Sequence, residues 1–190
     1  NASYFSVFAN GGKSIQPFFI EKILKTGEEV QFLENQETNE NFIESWVGKE
    51  LPKEEIFTID PRVSYIINDI LLEAARRGTG KKIQSLKRDD FAGKTGTTND
   101  AESTWFTGFN KNILTTVWFG YDQPSTLGNK EFGSSTALPI WLDYMEDIID
   151  DVEYGIQTRP SGLIAKKISL SDGMPANPED SKTMFELFLD

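Results

Sequence analysis

The sequence predicts an α/β protein of the α+β type, an antiparallel sheet packed against helices, on three observations. Three strand-like runs, Phe91 to Thr98, Thr104 to Phe109 and Ile113 to Tyr121, follow one another closely, and only Asn110-Lys111-Asn112 separates the last two. A loop that short makes its strands antiparallel, because a parallel pair needs a crossover of about a dozen residues. Segments on either side of these runs carry the 3.6-residue period of amphipathic helices. Composition permits a core: the chain has 190 residues, 38% hydrophobic and 12% aromatic, enough for one domain.

In chain order, Tyr4 to Ala9 reads as the end of a helix stopped by Asn10-Gly11-Gly12, since Asn and Gly tolerate the left-handed conformation at a helix C-terminus. Apolar runs (Phe18-Phe19-Ile20 with Ile23-Leu24, then Val30 with Phe32-Leu33) flank Lys25-Thr26-Gly27, which reads as a β-hairpin turn. Residues 34–55 are rich in Glu, Asn and Gln and read as a long connection, the segment where flexibility is expected, with room for a short helix near Phe42 to Val47. Asp60-Pro61 then opens the best-marked helix, with Asp as N-cap and Pro at the first helical position. Val63, Ile66, Ile67, Ile70, Leu71 and Ala74 form one stripe along it, and Arg76-Arg77-Gly78 closes it with positive charge at the negative end of the dipole. A second amphipathic helix is expected from Ala137 to about Ile149, with Leu138, Trp141, Leu142, Met145, Ile148 and Ile149 on one face. Beyond Asp151, turn residues dominate, and Leu163 to Leu170 is the strand expected there. Residues 152–190 read as a peripheral tail packed loosely on the domain formed by 3–151.

Composition also excludes chemistry. The 30 acidic and 19 basic residues give a net charge of −11, which argues against a nucleic-acid surface because phosphate would be repelled. The chain has no Cys and no His, so a disulfide scaffold, a Cys nucleophile, a Ser-His-Asp triad and the common zinc sites cannot be built within it. Any general base it supplies is Lys, Asp, Glu or Tyr. A cysteine-free chain is compatible with the periplasm. No run approaches the roughly 18 apolar residues of a membrane span, and no signal peptide is visible.

The chemically informative segment is Phe91-Ala92-Gly93-Lys94-Thr95-Gly96-Thr97-Thr98-Asn99-Asp100. Its Lys-Thr-Gly is one of three motifs that mark serine acyl-transferases acting on penicillin-like substrates. The other two are missing: no Ser has a Lys three positions later or an Asn two positions later. The copy at Lys25 is followed by Glu28-Glu29, whereas the copy at Lys94 leads into uncharged Thr97-Thr98 and then Trp105-Phe106-Thr107-Gly108-Phe109, where a binding edge would sit. Acyl transfer creates an oxyanion that backbone N–H groups can stabilise if aimed at it in advance. An edge strand offers such donors and lets an extended peptide add alongside it. Gly96 has no side chain to block that approach, and Thr95 and Thr97 bring hydroxyls suited to a terminal carboxylate.

The plainer reading of Lys-Thr-Gly alone is an ordinary exposed strand end. Likewise Trp105 and Phe109 read as core by alternation, Asn99-Asp100 as a turn, and Arg77-Gly78-Thr79-Gly80 as a helix cap first and a site wall second. A phosphate loop fails because Arg88 stands where its opening Gly belongs and Gly96 would weaken the helix that should follow. A non-catalytic docking module, or a β-lactamase or D,D-carboxypeptidase relative, remains as an alternative.

Tyr4-Phe5-Ser6-Val7-Phe8-Ala9-Asn10-Gly11-Gly12, Arg77-Gly78-Thr79-Gly80, the Phe91 to Asp100 segment, Trp105 to Phe109 and Ala137-Leu138-Pro139-Ile140-Trp141 occur in an order that resembles the class A penicillin-binding proteins. The resemblance covers nearly the whole chain. It implies part of a D,D-transpeptidase domain that cross-links peptidoglycan stem peptides and is the target of β-lactams, in a protein with an upstream glycosyltransferase domain and membrane anchor at the periplasmic face. By the same resemblance, the Thr97 N–H is one oxyanion donor, an upstream Ser N–H is the other, and Lys94 supplies positive charge near the substrate carboxylate. The acylation base would be the missing S-x-x-K lysine, and no cofactor or metal is implied. The sheet would be incomplete, with its missing half upstream, so self-association through an unpaired edge is expected.

Overall fold

The computed structural model describes residues 1–15, 17 and 58–190, together with the backbone of residues 24–25 and 28–29. Two compact units divide the chain: Asn1–Ser14 with Phe57–Asp190, and Ile15–Ile56. In the second unit, β1 (Leu24–Lys25) and β2 (Glu28–Glu29) pair antiparallel, Lys25 opposite Glu28, as expected of a hairpin at the first Lys-Thr-Gly. The helix expected near Phe42 to Val47 lies outside the described residues.

The first unit begins with α1 (Ala2–Ala9). Asn10 N–H still reaches back to Ser6 O, then Gly11 and Gly12 take positive φ (63° and 98°) and the helix stops. Gly12 also anchors the chain that returns beside it: its carbonyl accepts from the amides of Thr58 and Ile59, and a Cβ there would lie 2.6 Å from Ile59 O. α2 (Pro61–Arg76) starts as its sequence dictates, with the Asp60 carboxylate accepting from Arg62 N–H at 2.8 Å. The Arg62 guanidinium hydrogen-bonds the same carboxylate and helps hold the Asp60 pKa down at about 2.

The buried face of α2 is rotated from the expected stripe. Ser64, Asn68, Leu71 and Ala75 are buried, whereas Ile70 is 54% exposed. The reason is close approach: Ser64 is fully buried and donates its hydroxyl to Val7 O, so a small residue lets α1 pack closely here. At the far end the chain folds back on the helix. Both Gly78 N–H and Gly80 N–H reach Ala74 O, and a Cβ on Gly78 would lie 2.8 Å from that oxygen. A short 3-10 helix, Lys81–Leu86, follows; no sequence signal predicts it, and it buries Ile83 completely.

The three expected strands are β3 (Ala92–Thr97), β4 (Ser103–Phe109) and β5 (Leu114–Gly120), in the order β3-β4-β5, all antiparallel. Helices cover both faces, which breaks simple alternation along β4: Phe106 and Phe109 are both fully buried, and Trp105 is only half-buried. On one face, Ala92 and Phe109 pack with Ala9 of α1 and Leu71 of α2. On the other, Phe106 and Phe91 pack around Trp141 of α3 (Ala137–Ile148), with ring centroids 5.2 and 5.7 Å away. Gly108 makes this possible, because a Cβ there would lie 2.4 Å from Cζ2 of the indole.

After α3 comes a second 3-10 turn, Ile149–Asp151, and then β6 (Leu163–Ser169) paired antiparallel with β7 (Thr183–Leu189). β7 has no counterpart among the elements expected from sequence. The stretch between Asp151 and β6 is tied to the sheet through a polar hub. The Asp90 carboxylate, with no exposed side-chain surface, binds Arg88 at 2.7 and 2.8 Å and accepts from Asn110 Nδ2 and Gly155 N–H at 2.9 Å each. Arg88 also donates to Val152 O, and Asn110 to Glu153 O. Asn110 Oδ1 accepts from the amides of Asn112 and Ile113, which shapes the β4–β5 turn.

Burial pushes the Asp90 carboxyl up, but hydrogen bonds from Arg88, Gly155 and Asn110 and the Arg88 charge outweigh it, so its pKa is lowered. A lowered folded-state pKa gives stability that is present above the ordinary carboxylate value of about 3.9 and lost as pH falls through the folded value. Asp90→Asn is therefore expected to cost about 3 kcal/mol at neutral pH, by leaving Arg88 without its charge partner, and to flatten the acid limb below about pH 4. Urea melts of both proteins between pH 7 and 3 check this; parallel pH profiles would refute it. For the core, Gly108→Ala is expected to lose about 1–3 kcal/mol by overpacking against Trp141. Thermal melts give the comparison.

Candidate active-site strand

Among the described residues β3 is one of the two outer strands of its sheet, and the register fixes what each of its residues presents. Thr98 N–H donates to Ser103 O at 3.0 Å, so residue 98 turns its backbone toward β4. Backbone direction alternates along an antiparallel strand. Gly96 and Lys94 therefore also bond toward β4, and the N–H and C=O groups of Thr95 and Thr97 point away from the sheet. Side chains alternate as well. Lys94 and Gly96 lie on the α1 and α2 face with Ala92, and Gly93, Thr95 and Thr97 lie on the face of the 3-10 helix and α3.

The second face holds the strand from behind. The Thr95 hydroxyl is 2.7 Å from that of Thr79, which the Gly78 and Gly80 fold-back delivers. Thr97 Oγ1 accepts from Gly133 N–H at 3.1 Å. Each hydroxyl still has capacity for a further hydrogen bond. Gly93 sits flush on Ile83 and Phe106; a Cβ there would be 2.7 Å from the Phe106 ring.

The first face is covered at Ala92 and exposed at Lys94. Lys94 is exposed, and its Nζ donates to the outward Thr95 carbonyl at 2.9 Å. A Cβ on Gly96 would first meet the Trp105 side chain, at 3.2 Å, and no main-chain atom is among its three nearest neighbours. The four residues Lys94, Thr95, Gly96 and Thr97 thus come together as one continuous edge carrying an ammonium group, two outward amides and two hydroxyls.

Beyond Thr97 the strand ends in a tight turn. Thr98 Oγ1 accepts from the amides of Glu102 and Ser103 at 2.9 and 3.0 Å, and Ala101 takes a positive φ of 50°. Asn99 and Asp100 are exposed at its tip, as a turn reading expects. The segment from Lys130 to Ser135, which crosses β3 near its end, is not among the site elements expected from sequence. Ser135 Oγ accepts from Phe132 N–H and donates toward Phe132 O, holding a one-turn knot ahead of α3. Lys82 Nζ braces it by donating to Ser134 O at 3.0 Å. A signal is present in Gly133-Ser134-Ser135-Thr136, a run of turn and cap residues before a helix.

Among the described residues, no group of three or more acidic side chains could hold a metal ion, and no helix is long and apolar enough to cross a membrane. The model of the penicillin-binding protein transpeptidase domain matches residues 1–146, more than three quarters of the chain. The chain belongs to the penicillin-binding protein transpeptidase family. It is 34% identical over 222 residues to penicillin-binding protein 1A of Pseudomonas aeruginosa, covering 98% of this chain and 27% of that protein. With penicillin-binding protein 1A of Neisseria cinerea the identity is 38% over 164 residues, covering 86% of this chain and 19% of that one.

The crystal structure of penicillin-binding protein 1A from Haemophilus influenzae superposes with a TM-score of 0.76 at 27% identity, covering 97% of this chain and 31% of that one. The mixed fold of helices and antiparallel sheet is therefore that of a penicillin-binding protein transpeptidase domain. This chain spans about a fifth to a third of the length of these relatives.

Proposed function

We propose that this chain is the C-terminal part of a serine D,D-transpeptidase domain, in which residues 3–151 carry the substrate-binding strand and residues 152–190 are peripheral to it. The observation that carries the reading is the Thr95 to Thr97 edge, whose amides point off the sheet on a strand held from behind. A stem peptide ending in D-Ala-D-Ala adds along this edge by main-chain hydrogen bonds, which Gly96 leaves room for. The nucleophilic Ser, supplied from upstream, attacks the penultimate D-Ala carbonyl. A Ser O–C bond forms, the carbonyl oxygen becomes an oxyanion, and Thr97 N–H stabilises it together with the N–H of that Ser. The C–N bond then breaks, the terminal D-Ala leaves with a proton, and an amine from a second stem peptide releases the serine.

Lys94 holds positive charge beside the substrate carboxylate, and the Thr95 and Thr97 hydroxyls hydrogen-bond it. A β-lactam presents the same carbonyl and carboxylate, and its ring opens instead of expelling an amine, so it stays attached. The reaction belongs on the periplasmic face of the inner membrane, with the anchor upstream.

Incubated alone with excess penicillin, this chain is expected to show no mass increase, since its nucleophile lies elsewhere; a stable adduct of one drug moiety on any Ser here would overturn the reading. In the full-length protein, Lys94→Ala is expected to cut the second-order acylation rate about 100-fold, the scale of losing a preorganised electrostatic contact. Lys25→Ala, in the same tripeptide elsewhere, is expected to leave it unchanged. Equal rates for the two variants, measured with a fluorescent penicillin after melts verify folding, would remove the site from Lys94.

A further inference from the structure

We infer that Gly133 is a positioning residue for acyl transfer, a backbone clamp that fixes where the outward amide of Thr97 points. This rests on the reading of β3 as the oxyanion edge. Gly133 is buried, and its peptide lies against the pair Gly96 and Trp105: a Cβ on it would come within 2.6 Å of Trp105 O, 2.7 Å of Gly96 O and 3.2 Å of Gly96 N. All three are main-chain atoms of β3 and β4, so no rotamer change in a neighbour could make room. On the same residue the N–H donates to Thr97 Oγ1 and the C=O accepts from Leu138 N–H at 2.8 Å, in the first turn of α3. Gly133 is thus bonded to the strand on one side and to a core helix on the other, with no slack between them.

The clamp acts on the face opposite Lys94. Gly96 bonds toward β4 and Thr97 outward, so pushing Gly96 away tilts the peptide plane that carries the Thr97 N–H. An oxyanion donor is effective only when it is aimed before the reaction, and a shift of about 1 Å away from the reacting atoms can cost about 100-fold in rate. Gly133 touches no substrate in this scheme. Its effect is largest in the transition state, where the oxyanion exists, and smaller on ground-state binding through the Thr97 hydroxyl.

The test uses the full-length protein and a concentration series of fluorescent penicillin, which separates the limiting acylation rate from the half-saturating concentration. Gly133→Ala is expected to lower the limiting rate about 100-fold per folded molecule, with the half-saturating concentration little changed. Ser135→Ala, which loosens the knot holding Gly133 and adds no atom, is expected to lower the same parameter by a smaller factor while the protein stays folded. If Gly133→Ala does not fold, Ser135→Ala decides. A folded Gly133→Ala with the wild-type limiting rate overturns the inference, as does a loss confined to half-saturation. Lys94→Ala keeps the two readings apart. If that variant is slow and folded Gly133→Ala is normal, only the clamp fails; if Lys94→Ala itself is normal, the functional reading fails first.

Discussion

The missing side chain at Gly108 is the constraint on which the rest of the first unit depends. It lets the Trp141 indole lie within contact distance of the β4 backbone, flanked edge-on by Phe91 and Phe106. The indole is fully buried with Nε1–H unpaired among the described residues. An unpaired buried donor costs about 1–3 kcal/mol, and losing a buried Trp side chain about 3–5 kcal/mol, so packing outweighs the polar cost. With Trp141 seated, α3 has one position against the sheet. The segment leading into α3 then has to cross β3, and the strand proposed to do the chemistry is braced by the same helix that fills the core.

Much of this fold is legible in the sequence because its signals are local. Asp60-Pro61 marks a helix start through the chemistry of an N-cap, and Asn10-Gly11-Gly12 marks a stop through the φ values those residues tolerate; both sit where expected. The failures are where tertiary packing decides. The exposed Ile70 and buried Ser64 of α2 reverse the expectation from hydrophobicity, since a helix packed on more than one side buries whichever small residue lets a neighbour approach. Trp105 is expected in the core by alternation, but it pairs with Gly96 at the exposed end of its face, whereas Phe109, on the same face, lies under the helices. β7 escapes because Thr183 to Leu189 gains its meaning from pairing with β6, and the residues from Leu170 to Lys182 between them are longer than a tight hairpin turn.

The candidate site divides in the same way. Its residue types are readable, as Lys94 and Gly96 stand in a motif and Thr97 follows in register. Its support is not. Arg77-Gly78-Thr79-Gly80 reads as a helix cap first and a site wall second, without naming Thr79 as the residue whose hydroxyl meets that of Thr95, sixteen residues on, and Gly133 looks like any glycine before a helix until the backbone of Gly96 is seen beside it. Sequence motifs record the groups that a reaction uses, whereas the groups that hold them still are set by space, which leaves only small residues as a trace.

The division of β3 into a held face and a free face also determines how its length can vary. Removing one residue between Phe91 and Lys94 would turn every later side chain over, burying the lysine against α3 and sending the two threonines to the open side. Removing two would restore the faces but draw the edge back by about 7 Å along the strand, out of reach of its brace. Neither change alters the chemical inventory, and both would separate it from its supports. The Asn99-Asp100 tip, exposed and outside the ladder, carries no such arithmetic. Insertions can accumulate at that tip over evolutionary time while the count of residues from Phe91 to Thr97 stays fixed.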